Sequence, residues 1–197
     1  MTEYRYHRLS LCQIRLLTLL SVDQSIDEPI CVSISPVTLS QRPRYTAISY
    51  RWGTPTLAQK IHCCNDVLFV TPNLHSALRQ LRAQSLVGEE IVLWLDAVSI
   101  NQQDDIEKIA RVLLMGEIYK AASRVVIWLG PEAYQSDLAM AWARYLADEA
   151  TDQAVPPDAS SRLTPFRFKD YPIDPHVSPK SFFCLLSRPW FRRVWTI

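Results

Sequence analysis

Apolar and polar positions along the chain alternate between two periods, near two residues in some stretches and near 3.6 in others. Residues 14–20 (IRLLTLL) and 30–34 (ICVSI) are short β-prone runs. Asp23, Asp27, Glu28 and Pro29 between them turn or break strands. Residues 45–50 (YTAISY) predict a third strand, ended by Trp52-Gly53-Thr54-Pro55. Two further runs flank Asn65-Asp66 and predict a hairpin. Pro72 then opens a helix on which Leu74, Leu78 and Leu81 recur at helical spacing. Residues 91–95 (IVLWL) form an unbroken apolar run, the pattern of a strand buried on both faces. Asp104 is expected to cap the next helix, and Glu107 to return the bond as in a capping box. Ile106, Ile109, Ala110, Leu113 and Leu114 share one face of that helix, the face expected to meet the core. Glu117 falls on the same stripe and is expected at an exposed end, since an ionised Glu is seldom buried without a partner. Residues 124–129 (RVVIWL) read as another buried strand, closed by Gly130-Pro131. Residues 138–150 predict one more helix and residues 181–186 the start of a last one. Between them, residues 151–179 hold six prolines and no period, and read as a loop insertion.

Strand, helix and strand over residues 91–129 make a βαβ unit with a right-handed crossover. The expected fold is therefore α/β: a three-layer, mostly parallel sheet flanked by helices, with antiparallel strands at the N-terminus. Residues 45–50, 91–95 and 124–129 are expected in the core sheet.

Composition narrows the function classes. With 197 residues, 48% hydrophobic and 21% charged, the chain suits one domain with a sizeable core. Net charge is +1 and the basic residues are scattered, so no field draws the protein to nucleic acid. Five cysteines in no C-x-x-C spacing argue for reduced thiols. Cys63 and Cys64 read as packing or surface residues. Four histidines without H-x-x-x-H spacing give no metal-site signal. MTEYRYHRLS carries no apolar core of a signal peptide, and the apolar stretch at residues 16–22 is too short to span a bilayer. A soluble cytoplasmic protein is expected.

Candidate chemistry collects at strand ends. In open α/β sheets ligands bind outside the carboxyl ends of the strands. Asp96 stands at one such end, and Tyr50, Arg51, Trp52 and Gly53 at another. Asn101 and Gln102 follow Asp96 into a helix N-terminus, where free amides favour anions. Two readings stand side by side. In one these residues line a ligand cleft. In the other Asp96 caps a turn and the amides satisfy loop backbone. With four glycines, neither a dinucleotide fingerprint nor a Walker loop is present, and there is no nucleophile elbow.

Three long motifs, YTAISYRWG, LWLDAVSINQQDDIEKIARVLLMGEIYKAASRVVIWLG and RPWFRRVW, stand in order. Together they resemble the heterokaryon incompatibility (HET) domain of filamentous fungi. The resemblance divides the chain into residues 1–44, an N-terminal β extension packed on the core, and residues 45–197, the HET domain with its insertion at about residues 151–179. Ser99 stands where the family commonly has a cysteine, so a thiol is not needed for any chemistry shared with it. The resemblance implies a signalling and interaction module in fungal non-self recognition and programmed cell death, acting through protein partners or self-association. HET domains are in turn similar to TIR domains of flavodoxin-like fold. Ile48-Ser49-Tyr50 resembles their first box, and Asp96 an acid after a later strand. Some TIR domains cleave NAD with a glutamate in a W-C-x-x-E segment, which makes NAD a candidate substrate and a nucleotide a candidate ligand. The matching segment, in the C-terminal motif of Arg188, Trp190, Arg193 and Trp195, starts at Trp195, so the glutamate is expected two positions beyond Ile197 and the hydrolase impaired. Asp96, or another carboxylate, would then have to replace it. An oxocarbenium-like transition state needs such a group nearby.

Overall fold

The computed structural model describes residues 1–20, 29–54, 56–84, 90–141, 143 and 179–193, and structural statements here concern those residues. The chain divides into two compact units, Met1–Gly130 and Pro131–Ile197.

The first unit is built on one eight-stranded sheet in the order β1-β6-β5-β3-β2-β7-β4-β8. The strands are β1 (Thr2–Glu3), β2 (Gln13–Leu19), β3 (Cys31–Thr38), β4 (Thr46–Tyr50), β5 (Gln59–Cys63), β6 (Asp66–Val70), β7 (Ile91–Trp94) and β8 (Arg124–Trp128). The N-terminal runs pair antiparallel over seven residues, from Gln13 opposite Thr38 to Leu19 opposite Val32. β5 and β6 form the hairpin, turning at Cys64, which takes a left-handed φ of 55°. The expected core trio lies side by side as β7-β4-β8, all parallel, with Ala47 opposite both Trp94 and Val125.

The sheet is nevertheless mixed rather than mostly parallel. β2 sits near its centre and runs antiparallel to both neighbours, β3 and β7. The β2–β3 pair is the antiparallel pair expected at the N-terminus, but its place inside the sheet, antiparallel to β7 as well, is not legible in a local run.

Helices cover both faces. α1 (Pro72–Gln84) buries Leu74, Ala77 and Leu78, which pack with Leu17, Ile48, Tyr50 and Leu93 on one side of the sheet. A short α2 (Asp96–Ser99) leads to α3 (Asp105–Ala121). Ile118 of α3 packs with Ile14, Leu16, Ala47 and Trp94 on the other side.

Two expectations fail on this face. Most of the stripe assigned to the core points outward: Ile106, Ile109 and Leu113 are 76%, 63% and 80% exposed, while Leu114 packs against the core and Ala110 is half-buried. The helix instead buries Glu107, Arg111 and Ile118. The reason is Arg15 of β2, which is 2% exposed and reaches across to Glu107. A buried cation demands a buried anion, and this demand sets the rotation of the helix against its own apolar pattern. β8 likewise is not buried on both faces. It ends the sheet with one neighbour, and Val125 and Ile127 are about half exposed.

In the second unit, residues 136–141 are helical (α4). The rest of the stretch predicted as helix up to residue 150 lies outside the described residues, apart from residue 143, as does residues 151–178 of the predicted insertion. α5 (Pro179–Leu186) precedes a 3-10 turn, Pro189–Arg192, opened by proline.

Candidate functional site

The connections leaving β4 and β7 diverge. The path from β4 crosses to the β5–β6 hairpin and then to α1 on one face, and the path from β7 leads through α2 to α3 on the other. Adjacent parallel strands whose connections part in this way leave a crevice at their carboxyl ends, the usual ligand position in open α/β sheets. Tyr50 ends β4, and Asp96 begins α2 two residues past Trp94, the last residue of β7.

The structure brings Trp52, Asp96 and Tyr50 together there. The Trp52 indole N–H donates to Asp96 Oδ2 at 3.0 Å. The Ala97 amide donates to Asp96 Oδ1 at 2.8 Å. Asp96 is buried, Tyr50 is fully buried beneath it, and Trp52 is 40% exposed above. The Tyr50 phenol is held well above its ordinary pKa, first by burial and then by the charge and hydrogen bond of Asp96. The Ala97 backbone acts in the opposite sense. Tyr50 therefore stays a neutral phenol beside an anion.

Gln102 donates from Nε2 to the carbonyls of Asp96 (2.9 Å) and Ile100 (3.3 Å). Asn101 accepts at Oδ1 from the Gln103 amide and donates its own amide to Glu107 Oε1 at 2.9 Å. Both side chains are used to tie the loop that links α2 to α3. Both amide side chains bond loop backbone, as the second of the two readings has it for them; the bonds decide these two residues and not the ligand reading of the Asp96 end.

Arg51 is exposed, and its carbonyl accepts from Asn73 Nδ2. Asn73 Oδ1 in turn accepts from the Trp128 indole at 3.0 Å. Gly53 takes φ +82°, and a Cβ there would stand 3.5 Å from that of Asn73, so a left-handed turn next to α1 favours glycine. Ser49 lies within β4, opposite Ile127 of β8. Asn73 and Trp128 escaped the sequence reading. Trp128 had a signal, since it stands next to the end of the strand predicted over residues 124–129. Asn73 had none beyond following the helix-opening Pro72.

A second polar cluster lies behind the loop. Arg15 donates to both oxygens of Glu107, to the Ser99 carbonyl at 3.2 Å and to the His7 carbonyl. Arg111 donates to the Ser10 and Leu11 carbonyls at 2.8 and 2.9 Å. Burial alone would raise the Glu107 pKa. The bonds from Arg15 and the Asn101 amide and the charges of Arg15 and Arg111 outweigh it, and the pKa is lowered. Asp104 caps α3 by accepting from the Glu107 amide at 3.0 Å. The reciprocal half of the expected capping box is absent, because the Glu107 carboxylate is held by Arg15 and Asn101.

In the second unit, Arg188 Nη2 lies 3.4 Å from the Ala133 carbonyl, and Trp190 packs edge-on against Phe191. The Arg193 amide donates to the Trp190 carbonyl at 3.2 Å. Trp195 lies outside the described residues. A cavity of about 660 Å³ opens at the amino ends of β4, β7 and β8, lined by Arg44, Thr46, Glu90, Leu93 and Arg124 among others. It is at the opposite end of these strands from Asp96. We favour the Asp96 end as the candidate site because strand carboxyl ends and diverging connections define it, whereas size alone defines the other. Among the described residues no group of three or more His, Cys, Asp or Glu could hold a metal ion. No helix among them is long and apolar enough to cross a membrane.

Residues 45–197 match the family described as "Heterokaryon incompatibility protein (HET)". Heterokaryon incompatibility protein 6, OR allele, of Neurospora crassa is 31% identical over 197 aligned positions, which cover 85% of this chain and 28% of the relative. The chain thus spans little more than a quarter of the length of that relative. No solved structure matches.

Proposed function

Because the chain belongs to the heterokaryon incompatibility (HET) family, with a role in heterokaryon incompatibility, we propose that it works as a contact-making signalling module of fungal non-self recognition and cell death, in the cytoplasm. One observation carries the contact-making part: the carboxylate at the crevice is occupied by its own chain. Both Asp96 oxygens accept hydrogen bonds, from Trp52 and from Ala97, and the buried Tyr50 phenol faces the same group. Each oxygen thereby orients a neighbour: Asp96 holds the Trp52 indole at the surface and anchors the start of α2 through Ala97. The surface that results is an indole and an arginine on a rigid floor, suited to recognition. The parallel trio β7-β4-β8 with helices on both faces supports a flavodoxin- or TIR-like relationship for residues 45–197. β2 and β3 of residues 1–44 then extend that core.

The test is a nicotinamide-release assay beside a cellular one. The purified chain with NAD is expected to release nicotinamide no faster than a protein-free control. Forced production in fungal hyphae is expected to arrest growth, and Trp52→Ala to weaken the arrest. Brisk release that collapses in Asp96→Asn would replace the module with a nucleosidase.

A further inference from the structure

The polarity of α3 is reversed with respect to its burial. Its inner face carries Glu107 and Arg111 beside Ile118. Its outer face carries Ile106, Ile109, Val112 and Leu113, each more than half exposed. Single exposed apolar residues need no explanation, but four on one helical stripe mark a contact surface. Gly116 continues the stripe, with no atom outside its own stretch of helix within 4 Å of where a Cβ would stand.

The stripe is also self-complementary. At 100° per residue, the middle of the exposed face falls at the point midway between Val112 and Leu113. A second α3 laid antiparallel across that point brings Ile109 opposite Gly116 of the copy at both ends. A large side chain meets a gap, and the helices can approach closely. Val112 and Leu113 meet their own counterparts at the two-fold axis. Asp105, at the start of the helix, lies near Lys120 of the copy, and Lys120 near Asp105. A parallel arrangement would instead set Asp105 on Asp105 and Lys120 on Lys120. Both side chains are exposed, and among the described residues their ion pairs lie within the helix, Asp105 with Lys108 and Glu117 with Lys120, each at 3.1 Å. The matched span from residue 105 to 120 is about 22 Å long, and a closed two-fold contact of this kind is the commonest oligomer symmetry.

We propose that the outer face of α3 is a homodimer interface, in which two copies of this chain pair their α3 helices antiparallel about the Val112–Leu113 point. The proposal rests on the reading of the chain as a contact-making module and names the surface by which one copy meets another. The inward Arg15–Glu107 pair contributes by fixing the helix rotation, so that the apolar stripe faces out.

The experiment is sedimentation equilibrium of the full 197-residue chain across a concentration series, with circular dichroism as a check on folding. A reversible dimer is expected. Leu113→Asp should shift the equilibrium to monomer with an unchanged spectrum. Gly116→Leu, whose Cβ would stand clear of every atom outside its own helix turn, should weaken the dimer at least tenfold. Lys120→Asp should weaken it by facing Asp105 with a like charge. Adding Asp105→Lys should recover most of the loss, a recovery that no merely structural role of either residue explains. A chain that is monomeric at every concentration overturns the pairing and leaves the face to another occupant. A dimer indifferent to Leu113→Asp and Gly116→Leu places the interface elsewhere and overturns it as well. Neither result bears on nicotinamide release, so this proposal and the functional reading fail separately.

Discussion

α1 and α3 cover opposite faces of one sheet and are held there by opposite chemistry. α1 buries Leu74, Ala77 and Leu78 among Leu17, Ile48 and Leu93, and its apolar stripe is its inner face. α3 is seated by Ile118 near one end and by a buried ion pair near the other, and its main apolar stripe is its outer face. Non-directional burial seats a helix wherever its stripe meets other apolar groups. A buried guanidinium is more demanding: it needs a carboxylate at a definite position, and the helix turns to supply one. A stripe freed from the core is then available for a partner.

Five substitutions break or sharpen this contrast. Glu107→Ala strands Arg15 beneath α3 and is expected to cost about 3–5 kcal/mol in chemical denaturation, the range for breaking a buried pair from one side. Acid should act on the same group. The folded-state pKa of Glu107 is lowered, so its stabilisation is complete above the unfolded carboxylate value of about 4.3. It should fade as pH falls through the folded value, and the gap between wild type and Glu107→Gln should close with it. A gap that persists unchanged at low pH would remove the ion pair from the account of α3.

On the other face, Leu78→Ala is expected to cost about 2–5 kcal/mol, as large-to-small core changes do. A cost under about half a kcal/mol would mean that α1 is not seated by packing. Asp104→Ala removes the cap that accepts from the Glu107 amide and should cost about 0.5–2 kcal/mol. That loss is intermediate because the other groups holding Glu107 remain. Leu113→Ala, measured where the chain is monomeric, should change stability by under about 0.5 kcal/mol, although the residue is as apolar as Leu78. Denaturation of the two leucine variants side by side is the most direct reading of the contrast.

The local elements were legible where the pattern had one physical meaning. Pro72 with Leu74 and Leu78 marks a helix start and an inner face. Asn65-Asp66 between β-prone runs marks a hairpin, and the spacing of β7, α3 and β8 makes a βαβ unit. Asp104 reads as a cap because a short acceptor before a helix satisfies free amides. At the candidate site, Tyr50, Trp52 and Asp96 were found from strand ends alone. Their mutual contact, and the part played by Asn73 and Trp128, were not, because these residues meet only through the order of the strands.

What the sequence by itself determined is the set of elements, their order, and the family to which residues 45–197 belong. These rest on periods, turn residues and motifs that act within a few positions of the chain. Only the tertiary structure decided that β2 runs antiparallel at the centre of the sheet, that β8 is its edge, that Asp96 is held by Trp52, and that α3 turns its apolar stripe outward. The last depends on Arg15 and Glu107, 92 positions apart. A hydrophobic stripe states that a helix face will be covered. Whether the core or something outside it does the covering depends on which charge lies beneath the helix, and that is set by a distant strand.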